Sequence, residues 1–256
     1  MRTVEKALKL LNFFTEHQPE HGLSDLARLS GIDKATVLRM LGDMDASGLV
    51  EQDPQSKKWR LGTGILRLAR LREAAFPVTR VLTPILEHLA SVTGETAHAS
   101  LLSGRVLGSV AAVESSRSNR VIMDAGQFLP LHATASGIAF TAFATPDVRE
   151  RALADELAAV TPNTPTTRDA FERLVLTAQD RGYAISDQAL EAEVTGIAAP
   201  LFGPDGFSCG ALSVASPSSR MTNEHIKSIV AALAPAARQA TLGLGGRVPA
   251  HHKIAA

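Results

Sequence analysis

"LSDLARLSGIDKATVLRMLGDMDASGLV", residues 23–50, carries two helical patterns separated by a tight turn. In the first, Ser24 is the candidate N-cap, Leu26, Ala27 and Leu29 form the apolar face, and Gly31 is the stop. In the second, Asp33 caps a helix whose buried side, at about 100° per residue, collects Val37, Met40, Leu41 and Met44. The opposite side presents Ala35, Thr36, Arg39 and Gly42, with Lys34 beside them. Small, hydroxyl and guanidinium groups near a helix N-terminus suit a DNA major groove: they allow close approach and then hydrogen-bond base edges and phosphates.

The flanking segments extend this reading. Upstream, "TVEKALKLLNFF" repeats Val4, Ala7, Leu8, Leu11 and Phe14 at helical spacing, which predicts a first helix with one buried stripe. Downstream, "LVEQDPQSKKWRLG" reads as two short strands around "DPQSKK", with Lys57, Lys58 and Arg60 set to follow a phosphate backbone. Three helices and a basic hairpin make a winged helix-turn-helix over residues 1–62. A three-helix module that binds protein is the competing reading. The turn, the N-terminally polar third helix and the basic wing occur together, and that conjunction favours double-stranded DNA.

Composition is consistent with this. Of 256 residues, 45% are hydrophobic and 20% charged, as in a soluble globular protein. No apolar run approaches the roughly 20 residues of a membrane span, and "MRTVEKALKL" lacks the marks of a signal peptide, so a cytoplasmic protein without a membrane partner is expected. Cys209 is the sole cysteine, which excludes an intrachain disulfide or thiolate metal cluster and reads as a small buried apolar residue. No cofactor or metal is expected. Residues 1–73 hold 12 Lys and Arg against 10 Asp and Glu, and the remainder 14 against 16, so any polyanion favours the first part.

"GTGILRLARLREAAFP" interleaves Ile65, Leu66, Leu68, Ala69 and Leu71 with arginines, predicting a linker helix over 63–76. Residues 77–246 show no internal repeat and read as one domain, for which the resemblance given below implies effector binding and oligomerisation, and 247–256, with His251 and His252, read as a flexible tail. Inside the larger domain, helical pattern covers 79–93, 147–159, 168–181 and 222–243. Strand pattern covers 95–103, 105–114, 183–187, 194–202 and 207–215. The expected class is α+β, an antiparallel sheet flanked by helices. The turn "GPDG" joins the last two strands in a register that sets Gly196 opposite Ser213, Ile197 opposite Leu212 and Ala198 opposite Ala211, with a one-residue slip as the alternative. One face of this hairpin then carries almost no bulk, leaving room for a ligand that Ser213 could hydrogen-bond.

"PLHATASGIAF", residues 130–140, runs extended to Ala133 and starts a helix near Thr134 to Ser136. Free amides at that start, with the Thr134 and Ser136 hydroxyls, favour a carboxylate or another anion, which points to a small organic acid. His132 and Ser136 also admit a hydrolase reading, as base and nucleophile with Asp124 or Asp187 orienting the imidazole. Against it, Pro130 argues that His132 lies outside the helix, and no Gly-x-Ser-x-Gly elbow is present. A third possibility makes the larger domain an oligomerisation platform only.

"LSDLARLSGIDKATVLRMLGDMDASGLV" followed by "WRLGTGILRLA" resembles the N-terminal domain of the IclR family of bacterial transcriptional regulators. The segments "GETAHASLLSGRVLGSVAAVES", "GQFLPLHATASGIAF" and "RGYAISDQALEAEVTGIAAPLFGPDGFSCGALSVASP" resemble its GAF-like effector domain, so the likeness runs from about residue 3 to 244. The resemblance maps Lys34, Ala35, Thr36 and Arg39 to DNA-facing positions. It maps Thr134, Ala135, Ser136, Ser186, Asp187, Gly196 and Ser213 to the effector pocket. It implies a homodimer or homotetramer on a palindrome-like operator, regulating a catabolic operon as repressor or activator. Two departures stand out: Trp59 replaces the usual Tyr of the wing, and Ile138 stands where many relatives have Lys.

Overall fold

In the computed structural model, which describes residues 3–15, 17–123 and 126–254, internal contacts divide the chain into two units, Met1–Pro77 and Val78–Ala256. The first unit holds α1 (Thr3–Leu11), α2 (Leu23–Ser30), α3 (Lys34–Ala46) and α4 (Thr63–Ala75), with strands β1 (Glu20–His21), β2 (Val50–Gln52) and β3 (Trp59–Leu61). The strands form an antiparallel sheet in the order β1-β3-β2, so the wing has a third strand that the sequence did not reveal. Val37, Met40, Leu41 and Met44 are buried as their spacing requires, against Leu10, Leu26, Val50 and Trp59.

Three details of the predicted pattern change. Val4 and Leu8 are exposed, and α1 instead packs through Ala7, Leu10 and Leu11, an i, i+3, i+4 row one step around the helix, while Phe14, beyond the helix end, joins the same core. The N-cap of α2 is Gly22 rather than Ser24, because the helix starts early enough for Leu23 to join the core, and Leu29 is exposed. Gly31, in the left-handed conformation, ends α2 as expected.

The second unit orders α5 (Val78–Thr93), β4 (Thr96–Ser103), β5 (Val106–Val113), β6 (Phe128–Leu129), α6 (Ala135–Phe143), α7 (Pro146–Ala154), α8 (Arg168–Arg181), β7 (Ala184–Asp187), β8 (Val194–Phe202), β9 (Ser208–Pro217) and α9 (Asn223–Gly243). Its six strands form one antiparallel sheet in the order β6-β5-β4-β9-β8-β7. On one face α5 and α9 bring Leu82, Leu86, Leu89 and Leu233 onto Ile197, Leu212 and Val214. On the other, α6 and α8 bring Ile138 and Phe171 onto Ala198 and Ala211.

The β8–β9 hairpin differs in register from the sequence reading. Ala198 faces Ser213, Gly196 faces Ala215 and Ile197 faces Val214. The amide of Gly203 donates to Phe207 C=O at 2.8 Å and that of Gly206 to Gly203 C=O at 3.1 Å, so Gly206 sits inside the loop with φ 82° rather than pairing with Gly203. A further irregularity at Leu201/Phe202 completes a two-residue shift. Because side chains alternate with period two, that shift leaves each side chain on its predicted face.

Cys209 is half-buried beside the first core, and burial pushes its thiol pKa up, as suits an inert packing residue. The tail is docked rather than loose. The His252 ring lies edge-on to Phe143 and Phe202, at 4.8 and 4.9 Å between centroids, and Ile254 packs against the core of α5, α9 and the sheet.

Burial holds the His98 imidazole down at a pKa of about 4, and burial followed by the charge of His251 does the same for His252. Both titrate near 6.5 when unfolded, so their neutral forms contribute full stability above pH 6.5, and that contribution is lost as pH falls from there toward 4. Each group costs up to about 1.4 kcal/mol per pH unit within this window. The urea midpoint of the second unit should therefore fall between pH 7 and 5, and less steeply in His252→Phe; equal slopes would contradict the assignment.

Candidate nucleic-acid interface and effector site

The N-terminus of α3 is built by Asp33, whose Oδ1 accepts the Thr36 amide at 2.9 Å. The backbone and side-chain bonds of Thr36 hold the Asp33 carboxyl below its ordinary range. With Val37, Met40, Leu41 and Met44 turned inward, Lys34, Ala35, Arg39 and Gly42 are exposed and Thr36 half-buried, all on the other side of one helix. In the wing, Asp53 Oδ1 accepts the Gln55 and Ser56 amides at 3.1 and 2.6 Å, which shapes the turn and leaves Lys57 and Lys58 exposed at its end. Arg60 differs from its neighbours. Its guanidinium donates to Glu51 at 2.7 Å and lies 3.7 Å from Glu20, so it ties β3 to both flanking strands.

In the second unit the sheet beneath α6 is organised in transverse rows. One row runs Thr96, Ala215, Gly196, Ser186, and the next His98, Ser213, Ala198, Ala184. These small residues admit the helix: a Cβ on Gly196 would stand 3.3 Å from the Ala135 Cβ. The face predicted to leave room for a ligand is thus largely occupied by α6. On the helix's other flank, a Cβ on Gly137 would run into the backbone of Leu131, so the extended stretch before α6 lies hard against its first turn.

Thr134, Ala135 and Ser136 form this first turn and Ser186 and Gly196 adjoin it, but several of the predicted polar groups are already used. Thr134 is the N-cap: its hydroxyl accepts the Gly137 amide at 2.9 Å and donates to Pro130 C=O at 2.8 Å. Ser186 donates to Ala133 C=O at 2.9 Å, and Ser213 to Ile197 C=O at 3.1 Å. Asp187 is exposed and accepts from Thr195 at 2.7 Å. The amides of Ala135 and Ser136 precede the first intrahelical bond, from Ile138 to Thr134 C=O, and the Ser136 hydroxyl lies 3.3 Å from His98 Nε2. Beside these residues is a polar cleft of about 520 Å³ lined by Asn119, Arg120, Gln188, Glu193, Val194 and Ser218, among others. None of the residues chosen from the sequence lines it, although Gln188 adjoins Asp187 in the chain and Val194 stands two residues before Gly196.

His132 and Ser136 do not meet. His132 Nε2 bonds Ala158 C=O at 3.0 Å and its ring packs edge-on against Phe171, which leaves the proposed catalytic pair without a base; Asp124 lies outside the described residues. The imidazole that reaches Ser136 belongs to His98, which the sequence reading missed. Its signal was the alternation of "HAS" in β4, which sends His98 and Ser100 to one face and Ala97 and Ala99 to the other.

Family comparison covers both units. The IclR helix-turn-helix domain matches residues 3–54, and the bacterial transcriptional regulator IclR C-terminal domain matches residues 74–242. The chain belongs to the IclR family. A crystal structure of an IclR transcriptional regulator from Silicibacter sp. TM1040 is 42% identical with a TM-score of 0.87, covering 98% of this chain and 100% of that one. The HTH-type transcriptional regulator XynR of Escherichia coli K12 is 27% identical over 88% of this chain and 90% of its own. An IclR homolog from Microbacterium hydrocarbonoxydans, complexed with 4-hydroxybenzoate, is 25% identical with a TM-score of 0.76, covering 95% of this chain and 99% of that one. The protein is thus a transcriptional regulator with helix-turn-helix and effector domains, and its relatives are regulators rather than enzymes. Among the described residues no helix is long and apolar enough to cross a membrane.

Ile138 is 1% exposed and sits in the cluster of α6, α8 and the sheet, which explains an apolar side chain there. The cleft wall is fastened by a buried carboxylate. Glu95, fully buried, takes Arg220 in a two-point bond at 2.6 and 2.8 Å, with Arg117 at 3.2 Å and His225 at 3.3 Å. Arg220 also donates to Asn119 C=O at 2.9 Å, joining two walls of the cleft. Burial pushes the Glu95 pKa up, but Arg220, His225 and Arg117 outweigh it and hold it below 4.5.

Removing this carboxylate strands the guanidinium of Arg220, so Glu95→Gln should cost about 3 kcal/mol of stability at pH 7. The contribution of Glu95 is complete above its unfolded pKa and is lost as pH falls through the lower folded value, so the gap between wild type and variant should narrow below pH 4.5. A gap that stays constant from pH 7 to pH 3 in denaturant titrations would contradict the ion cluster.

Proposed function

We propose that the protein regulates a catabolic operon by binding operator DNA through α3 and the wing, and that a small organic acid bound at the start of α6 alters that affinity. The carrying observation for DNA is the one-sided α3: four side chains are buried, while Lys34, Ala35 and Arg39 are exposed beside a capped N-terminus. Lys34, Ala35, Thr36 and Arg39 face the groove, and Lys57 and Lys58 face phosphates. Arg60 acts mainly within the wing because its charge is already shared with Glu51 and Glu20.

For the effector, support comes from the first-turn amides of α6, the Ser136 hydroxyl and the aromatic acid held by the Microbacterium relative. Ala135 and Gly196 shape the floor, and Asp187 and the neighbouring cleft flank the entrance. The acid acts through unequal affinity for two conformations, transmitted along α4, none of whose residues is buried. A homodimer, or a dimer of dimers, on a two-fold operator matches two short recognition surfaces to two half-sites.

The test has two arms. In footprinting, Arg39→Ala should lose sequence selectivity worth about 1–3 kcal/mol, whereas Lys57→Ala should weaken all sequences alike and lower the salt slope by about one. Unchanged selectivity in Arg39→Ala would exclude α3 as the reader. In thermal-shift assays against small aliphatic and aromatic acids, including 4-hydroxybenzoate, a ligand raises Tm. If no acid moves Tm, the second unit is an oligomerisation platform only.

A further inference from the structure

His98 is the buried group that the regulatory reading does not use. It stands on β4 opposite Ser213, is 4% exposed, and reaches the first turn of α6 through the 3.3 Å contact of Nε2 with Ser136 Oγ. Its other nitrogen, Nδ1, is sealed from solvent and has no hydrogen-bond partner among the described residues. We infer that His98 sets the direction of the Ser136 hydroxyl and thereby makes the start of α6 selective for a carboxylate. This rests on the proposed effector site at that helix start.

Burial keeps the ring neutral, so it carries one proton and can donate from one nitrogen only. In the first arrangement Ser136 donates to Nε2, and Nδ1–H is left as a buried donor with no acceptor. In the second, Nε2–H donates to Ser136 Oγ, Nδ1 is a bare lone pair, and the serine hydrogen points to whatever lies at the helix start. An orphaned donor is the rarer and costlier defect in folded proteins, so the second arrangement wins once the Ser136 hydrogen finds an acceptor. A carboxylate oxygen beside the Ala135 and Ser136 amides is such an acceptor, and the chain His98 Nε2–H to Ser136 O–H to carboxylate is cooperative. A primary carboxamide in the same place has one acceptor oxygen, and its N–H groups would face donors. His98 is therefore a positioning residue that acts through Ser136.

Wild type, His98→Phe and His98→Gln are titrated calorimetrically with benzoate, 4-hydroxybenzoate and small aliphatic monocarboxylates, each paired with its primary carboxamide. The wild type should bind at least one acid in preference to its amide. His98→Phe, which keeps ring volume without a donor, should lose about tenfold in acid affinity and leave amide binding unchanged, and His98→Gln, with an amide donor, should recover part of the loss. Nitrogen-15 spectra of the acid-bound wild type should show the Nε2–H tautomer of His98, a readout that does not depend on any variant folding. An Nδ1–H tautomer, or an unchanged acid-to-amide preference in His98→Phe, overturns the inference. If no acid binds the wild type, the effector site itself fails and the role of His98 falls with it.

Discussion

Helix α6 can lie on the sheet because the strands beneath it carry little side-chain volume, and the geometry of the second unit follows from that close approach. Gly196, Ala198, Ala211 and Ser213 leave room for Ala135, Ile138 and Ala139 to descend onto the sheet. The helix start is in turn pinned from the chain side, where Gly137 admits the backbone of Leu131 and Thr134 closes the loop onto Pro130. Ser186 and Ser213 spend their hydroxyls on backbone carbonyls of the same framework. The proposed acid would meet a fixed set of donors there, two amides and one hydroxyl, whose positions are set by packing.

The first unit solves a comparable problem with one helix. Four apolar side chains of α3 lock its rotation about its own axis, so the groups on its far side are presented at defined angles. The wing sorts its cations by ion pairing. An exposed pair such as Arg60 with Glu51 adds at most about 1 kcal/mol to stability. In the proposed DNA complex, Lys57 and Lys58, which have no such pair among the described residues, are the cations that face phosphate.

Much of this was legible in the sequence because period and punctuation are local. The buried stripe of α3, the Asp33 cap, the Gly31 stop and the start of α6 after Thr134 all depend on residues within one or two turns. The misreadings come from interactions that act across the fold. The register of β8 with β9 depends on the loop conformation at Gly206 and on a strand irregularity, but alternation preserved which residues share a face. The short β1 and β6 are too brief to carry a period. The docking of His252 between two phenylalanines, the pairing of Ser136 with His98 in place of His132, and the capture of Arg60 by Glu51 join residues distant in sequence or compete with a plausible alternative. Around the start of α6 the sequence cannot show which hydroxyls stay available, because Thr134, Ser186 and Ser213 spend theirs on backbone carbonyls.

In the proposed mechanism, acid bound at α6 and DNA bound at α3 are tied by one coupling free energy, and such coupling is reciprocal. The direct measurement is the Kd of the acid for the full chain by isothermal titration, with the protein free and with it saturated by operator DNA. The two Kd values should differ by at least about fivefold, and by the same factor as the acid changes operator affinity. Equal Kd values in the two states would contradict that coupling.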